Sequence, residues 1–130
     1  SENRMRLFGY VLFQKMKVLH PFKTAHISLS ASELKQFEYK DGDTEGFVNY
    51  PLSMKGIVFS AIFIEKQNYT KVSFRSVGTF SVNQFAREHF SGGGHINASG
   101  GRIDMPLEKA VVFFESLLPF YKDNLQNVME

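Results

Sequence analysis

Ser91-Gly92-Gly93-Gly94-His95-Ile96-Asn97-Ala98-Ser99-Gly100-Gly101 breaks a regular succession of helical and extended patterns, and its reading decides the rest of the chain. Each glycine costs about 0.5–1 kcal/mol relative to alanine where regular structure would serve, so such a run needs a backbone reason. One glycine would suffice to end a preceding helix. Consecutive residues free to take either sign of φ can aim several N–H groups at one point, a nest that holds phosphate oxygens, and the missing Cβ atoms let an anion approach closely. His95 follows directly and supplies a neutral donor or, when protonated, a charged one. The competing reading is a flexible capping turn on which His95 is merely exposed. Two familiar phosphate loops are excluded: no Lys-Ser/Thr follows the glycines, and a dinucleotide fingerprint belongs between a strand and a helix.

Upstream of this segment, Ser81 and Gln84 match a capping box, and Val82, Phe85, Ala86, His89 and Phe90 share one face of a helix that the glycines end. Thr70 to Val77 alternates Val72 and Phe74 against Lys71, Ser73 and Arg75, a strand with one buried face. Residues 56 to 64 are apolar on both faces and read as a central strand, joined to the next by a turn at Gln67 and Asn68. Tyr39 to Gly46 is a polar loop, and Ser30 with Glu33 caps a short helix carrying Leu34 and Phe37. Ala25, Ile27 and Leu29 alternate with Thr24, His26 and Ser28, a further strand with one buried face. Met5, Phe8, Leu12, Met16 and Leu19 place one face on an opening helix that Pro21 stops.

Downstream, a short strand at Arg102 to Asp104 leads to a long helix from Pro106. Its stripe is Leu107, Ala110, Val111, Phe114, Leu117, Leu118 and Tyr121, and Pro119 is expected to kink or interrupt it. The whole order reads as a single α/β domain over residues 1–130. A mixed, mainly antiparallel sheet of four to five strands is expected, flanked by helices.

Composition bounds the function. Apolar residues are 43% and charged residues 22% of the chain, values of an ordinary globular domain, and 14 Phe point to an aromatic core. No apolar run reaches the ~18 residues of a membrane span and no signal pattern opens the chain, so a cytosolic location without membrane association is expected. The absence of Cys excludes disulfides and thiolate metal sites. A net charge of +2, with scattered basic residues, argues against binding long duplex nucleic acid but leaves room for a local anion pocket. The chain begins with Ser and enters a helical pattern almost at once, as expected if an upstream domain or linker has been removed.

Gly92-Gly93-Gly94-His95-Ile96-Asn97-Ala98-Ser99-Gly100 resembles the Gly-Gly-Gly-His-x-x-Ala-Ala/Ser-Gly signature of the DHH-associated C-terminal domain of DHH phosphoesterases. Four glycines at this spacing arise by chance about once in 10^4 to 10^5 positions. Lys71-Val72-Ser73-Phe74-Arg75-Ser76, Thr44-Glu45-Gly46-Phe47-Val48-Asn49 and Leu7-Phe8-Gly9-Tyr10-Val11-Leu12 are similar to other segments of that family. Together they are most like the nanoRNase, phosphoadenosine-phosphate phosphatase and exopolyphosphatase-related group.

The resemblance implies that Gly92, Gly93, Gly94 and His95 form the anion loop, that Arg75 clamps phosphate with its planar fork, and that Ser76 and Asn97 assist. By pattern alone Arg75 also reads as an ordinary solvated outward residue of a strand. The resemblance further implies partners, namely short RNA or DNA oligonucleotides or nucleoside bisphosphates, and a covalently linked DHH domain that holds two manganese ions. Val77 stands where many relatives carry a second basic residue, which leaves open how many phosphates are gripped.

No Asp-His-His occurs, and Asp41-Gly42-Asp43 is a short acidic loop, so catalytic residues and metal ligands are not expected in this chain. His20, His26, His89 and His95 lack the spacing and partners of a zinc site. Ser99, four residues after His95, has no acidic residue evident to orient a base, which argues against acyl transfer. His89 is expected on the helix surface or partly packed, with a place in the pocket lining as the alternative. Exposed aromatic residues on the long helix leave a homodimer open. Two function classes follow: the substrate domain of a phosphoesterase, or a free-standing nucleotide-binding or interaction module with a structural glycine loop.

Overall fold

The computed structural model describes residues 1–130. In chain order its elements are α1 (Glu2–Tyr10), β1 (Met16–Leu19), β2 (Thr24–Leu29), α2 (Ala31–Gln36), β3 (Phe59–Glu65), β4 (Thr70–Ser76), α3 (Val82–His89), β5 (Gly93–Gly94), β6 (Ala98–Ile103), α4 (Leu107–Leu117) and α5 (Lys122–Gln126). The strands form a six-stranded sheet in the order β1-β2-β3-β4-β6-β5, in which only β2 and β3 run parallel. This is the expected α/β domain with a mixed, mainly antiparallel sheet, with more strands than the four to five expected. No helix is long and apolar enough to cross a membrane.

The hairpin β3–β4 lies at the centre because β3 is apolar on both faces and can be buried on both. On one face Phe59, Ala61 and Phe63 of β3 and Val72 and Phe74 of β4 meet α3 and α4. Phe114 of α4 holds this layer together, with ring centroids 5.5 Å from Phe59, 5.2 Å from Phe63 and 5.8 Å from Phe85. Each ring withdrawn from water contributes about 1.5–3 kcal/mol. On the other face Ile62 and Ile64 pack with Leu7 and Val11 from the N-terminal segment and with Phe47 and Val48 of a 3-10 segment, Phe47–Ser53.

Three local expectations are corrected. The opening helix does not continue to Leu19: α1 stops at Tyr10, a π-helical turn covers Val11–Lys15, and Met16–Leu19 becomes the edge strand β1, with Met16 opposite Ile27. The free edge of β2 supplies backbone partners that a longer helix could not use. The buried residues are Leu7 and Val11, four apart, whereas Met5 is 66% exposed, so a competing stripe at the same periodicity faces the core.

Strand β2 is buried on both faces: Thr24 and His26 are closed off, His26 beneath Phe114 and Glu115 of α4. The strand after the glycines begins at Ala98 instead of Arg102, and β5 adds a sixth strand. The capping chemistry follows the sequence more closely. Ser30 and Glu33 exchange both bonds of a capping box, whereas at Ser81 only the hydroxyl half forms and the Gln84 amide turns to Glu88 instead. Pro119 ends α4 as expected, and a 3-10 turn over Leu118–Tyr121 leads into α5.

His26 sits between Phe63 and Phe114, its Nε2 2.7 Å from Glu115 Oε2, which also pairs with Lys17 at 3.0 Å. Its Nδ1 has no partner. Burial, opposed by the Glu115 carboxylate, holds the His26 pKa below its ordinary 6.5, so the folded chain favours neutral imidazole. On acidification the unfolded chain takes up this proton near pH 6.5 while the folded chain resists it, and stability falls as the pH drops below that value. The pKa of Glu115 is itself lowered, so its carboxylate stays ionised over the same window. Urea denaturation should therefore show a midpoint that declines between pH 7 and 5.5. A His26→Gln variant should hold its midpoint nearly constant over that range, and an equal decline in the variant would assign the sensitivity elsewhere.

Candidate functional site

The outward residues of β4 are Lys71, Ser73 and Arg75, since Val72, Phe74 and Ser76 face the aromatic layer. Arg75 lies opposite Ser60 on β3 and opposite Ala98 on β6. Ala98 closes a turn with His95, whose amide donates to the Ala98 carbonyl at 2.8 Å. Arg75, Ser76, His95 and Asn97, far apart in sequence, thus meet at one end of the sheet.

Their roles differ. Ser76 is buried, donates to the Phe80 carbonyl at 2.7 Å and accepts from Asn97 Nδ2 at 2.9 Å. Asn97 Nδ2 also donates to the Gly78 carbonyl at 3.1 Å, and the Ser76 amide donates to the Asn97 carbonyl at 3.1 Å. Ser76 and Asn97 therefore latch the turn onto the end of β4. The exposed His95 ring makes no hydrogen bond within the chain. Arg75 is half-buried; its Nη1 donates to the Phe74 carbonyl at 2.8 Å, which fixes the fork and leaves its other N–H groups free. It borders a cleft of about 350 Å³ between β4 and the loop that carries Thr44.

The glycines act mainly through space. A Cβ on Gly92 would stand 1.9 Å from the Gly100 carbonyl oxygen, and one on Gly101 would stand 2.3 Å from the Phe90 carbonyl oxygen. The β5–β6 hairpin thus passes under the C-terminal end of α3 at a distance only glycine allows. The amides expected to form a nest are engaged by protein acceptors: Gly92 donates to the Ala86 carbonyl at 3.2 Å, Gly94 to Asn83 Oδ1 at 2.9 Å, and His95 to Ala98. Among the side chains at this end of the sheet, His95 and Arg75 carry free donors.

Asn83, the second residue of the helix before the loop, was not legible as a site residue, because its contact with the Gly94 amide depends on how the loop folds back. Lys71 and Ser73 were legible as the same-face neighbours of Arg75 at period two, but not as lining a cleft, because the Thr44 wall comes from a distant loop. His89 is drawn to Tyr121, with Nε2 2.6 Å from the hydroxyl; burial and the Glu88 carboxylate push that hydroxyl up to about 12. Asp43 accepts the Lys40 amide at 2.9 Å and so closes its own loop. No three His, Asp or Glu side chains gather where they could hold a metal ion.

The chain is thus a mixed-sheet α/β domain, covered on both faces, with Arg75 and the exposed His95 at one end of its sheet. Residues 23–119 match the DHHA1 domain, and the chain belongs to that family. It is 38% identical over 77 residues to a probable bifunctional oligoribonuclease and PAP phosphatase, NrnA, of Streptococcus mutans. The match covers 58% of this chain and 24% of that protein.

An exopolyphosphatase-related protein of Bacteroides fragilis superposes with a TM-score of 0.94 at 49% identity, over 98% of this chain and 37% of that one. The pGpG-specific phosphodiesterase PggH of Vibrio cholerae shares the fold, with a TM-score of 0.65 at 13% identity over 98% of this chain and 40% of that one. The chain thus spans well under half the length of these relatives.

The steric reading makes a specific demand. Gly92→Ala should destabilise the chain by about 1–3 kcal/mol, as overpacking against backbone does. Gly9→Ala, where a Cβ meets nothing within 4 Å on α1, should stabilise it by about 0.5–1 kcal/mol. Chemical denaturation of both variants checks this, and a neutral Gly92→Ala would contradict the packing described.

Proposed function

We propose that this chain is the phosphate-binding, substrate-recognition domain of a manganese-dependent DHH phosphoesterase that hydrolyses short nucleic acids or nucleoside bisphosphates. The observation that carries the reading is the pairing of Arg75 with Ala98, which sets a half-anchored guanidinium beside the turn that displays the free His95 ring. A guanidinium fork makes two parallel bonds to one phosphate, and each hydrogen bond to a charged group contributes about 1.5–3 kcal/mol. Membership of the DHHA1 family and the likeness to a probable oligoribonuclease and PAP phosphatase support the substrate class.

In this reading Arg75 and His95 hold a terminal phosphate, Ser76 and Asn97 keep the turn in register, and Gly92, Gly93 and Gly94 let the hairpin sit close under α3. Positioning of this kind converts an encounter into a bound geometry. A covalently linked DHH domain would supply the manganese ions and, with them, the activated water and charge neutralisation that attack on phosphorus requires. The engaged loop amides favour a second reading, a free-standing nucleotide-binding or interaction module whose glycines are structural.

Calorimetric titration with adenosine 3',5'-bisphosphate and with a dinucleotide tests the phosphate site. The 130-residue chain should bind both. His95→Ala and Arg75→Ala should each lose about 1.5–3 kcal/mol of binding, and undiminished binding in both variants would remove the assignment.

An activity assay tests where catalysis resides. The chain alone should hydrolyse neither ligand, with or without manganese, whereas a protein extended at its N-terminus by Asp-x-Asp and Asp-His-His motifs should hydrolyse both. Manganese-dependent turnover that copurifies with the isolated chain would place catalysis here instead.

A further inference from the structure

The cleft beside Arg75 continues along β4, and its chemistry is unlike the rest of the molecule. Four of the five buried hydroxyls, those of Thr24, Thr70, Ser76 and Ser99, donate to a backbone carbonyl, whereas Ser60, opposite Arg75 on β3, has no partner. In the cleft, Lys71, Ser73, Thr44 and Tyr39 line one cavity, and none of their side chains makes a hydrogen bond or ion pair within the chain. Arg75 alone among these donors is tied, through Nη1. Glu45 is the single acid on the wall.

The sheet face that carries these side chains continues from β4 onto β6. Opposite residues of an antiparallel pair share a face, so Arg75 with Ala98, Ser73 with Gly100 and Lys71 with Arg102 form three successive rungs. Small residues at the first two rungs leave the sheet open to a close-lying backbone. The third rung carries two cations, with Arg102 stacked 3.6 Å from the centroid of the Tyr69 ring and paired with Asp104.

Residues two apart on a strand are separated by about 6.8 Å, so Lys71 lies about 14 Å from Arg75 along β4. An Arg75 fork held at the Phe74 carbonyl leaves Lys71 and Ser73 to a different phosphate.

We propose that Lys71 and Ser73, with Thr44 on the facing wall, form a second phosphate subsite, and that the cleft binds a single-stranded oligonucleotide of at least two phosphodiester-linked phosphates. The proposal rests on the reading of Arg75 as the first phosphate clamp. Positive grooves that follow the backbone are how proteins hold single strands without reading sequence.

Titration of the 130-residue chain with adenosine 5'-monophosphate and with the 5'-phosphorylated trinucleotide pApApA tests the subsite. Lys71→Ala and Ser73→Ala should each weaken pApApA binding about tenfold, or ~1.4 kcal/mol, and leave the monophosphate within twofold. Lys71→Ala should also lower the slope of log affinity against log salt for pApApA by about 0.7, the value of one released counterion on a single strand.

Equal weakening of both ligands by Lys71→Ala, or no weakening of either, would overturn the second subsite. Arg75→Ala marks the other failure: a variant that binds both ligands normally removes the first clamp as well. Loss of both ligands in Arg75→Ala, with no change in Lys71→Ala or Ser73→Ala, ends the extension alone.

Discussion

The carbonyl left over at the C-terminal end of α3, that of Phe90, accepts the Arg102 amide at 2.7 Å, and this bond draws two backbones into contact. A helix ends with carbonyls that have no partner of their own, and the strand that follows satisfies one of them. The contact works only if the strand is bare at the crossing, which explains why glycines flank it at both levels: Gly101 beneath Phe90, and Gly92 against Gly100. With the hairpin pinned there, β6 lies alongside β4, and the turn from His95 to Ala98 arrives beside Arg75. The site is a consequence of how the helix end is closed.

The same sheet serves two environments. One face of β4 adds Val72 and Phe74 to the aromatic layer, where Phe114 and Phe85 close the interior. The other face, reached by alternate side chains of the same strand, carries Lys71, Ser73 and Arg75 toward a cleft. Lys71 is exposed and makes no hydrogen bond or ion pair within the chain. Only Arg75 is fixed, by a carbonyl of its own strand. Binding a flexible single strand is aided by such preorganisation, because less order must be imposed on the protein when the ligand arrives.

The division of chemistry follows. In the proposed reading this domain orients a phosphate, and the activation of water falls to the linked DHH domain. Its relatives are longer chains in which the matching region occupies 24% to 40% of the length, which leaves ample chain for a catalytic partner in those proteins.

What the sequence by itself determined is whatever depends on near neighbours or on strict period. The apolar run of β3, the alternation of β4, the Ser30 capping box and the interruption at Pro119 are local chemistry, and all four stand in the structure. The glycine-histidine signature and the Arg75 segment were likewise legible as a family pattern. Only the tertiary structure decided three further matters. Met16–Leu19 became a strand because β2 offered an unpaired edge, a partner that lies outside any local window. His26 became a core residue because α4 crosses its face and brings Glu115 to its ring. Finally, the loop amides were free to form a nest in any local reading, and it was the return of β6 and the Asn83 side chain that engaged them. A backbone donor close to a protein acceptor is satisfied at once, and which acceptors come close is a property of the whole fold.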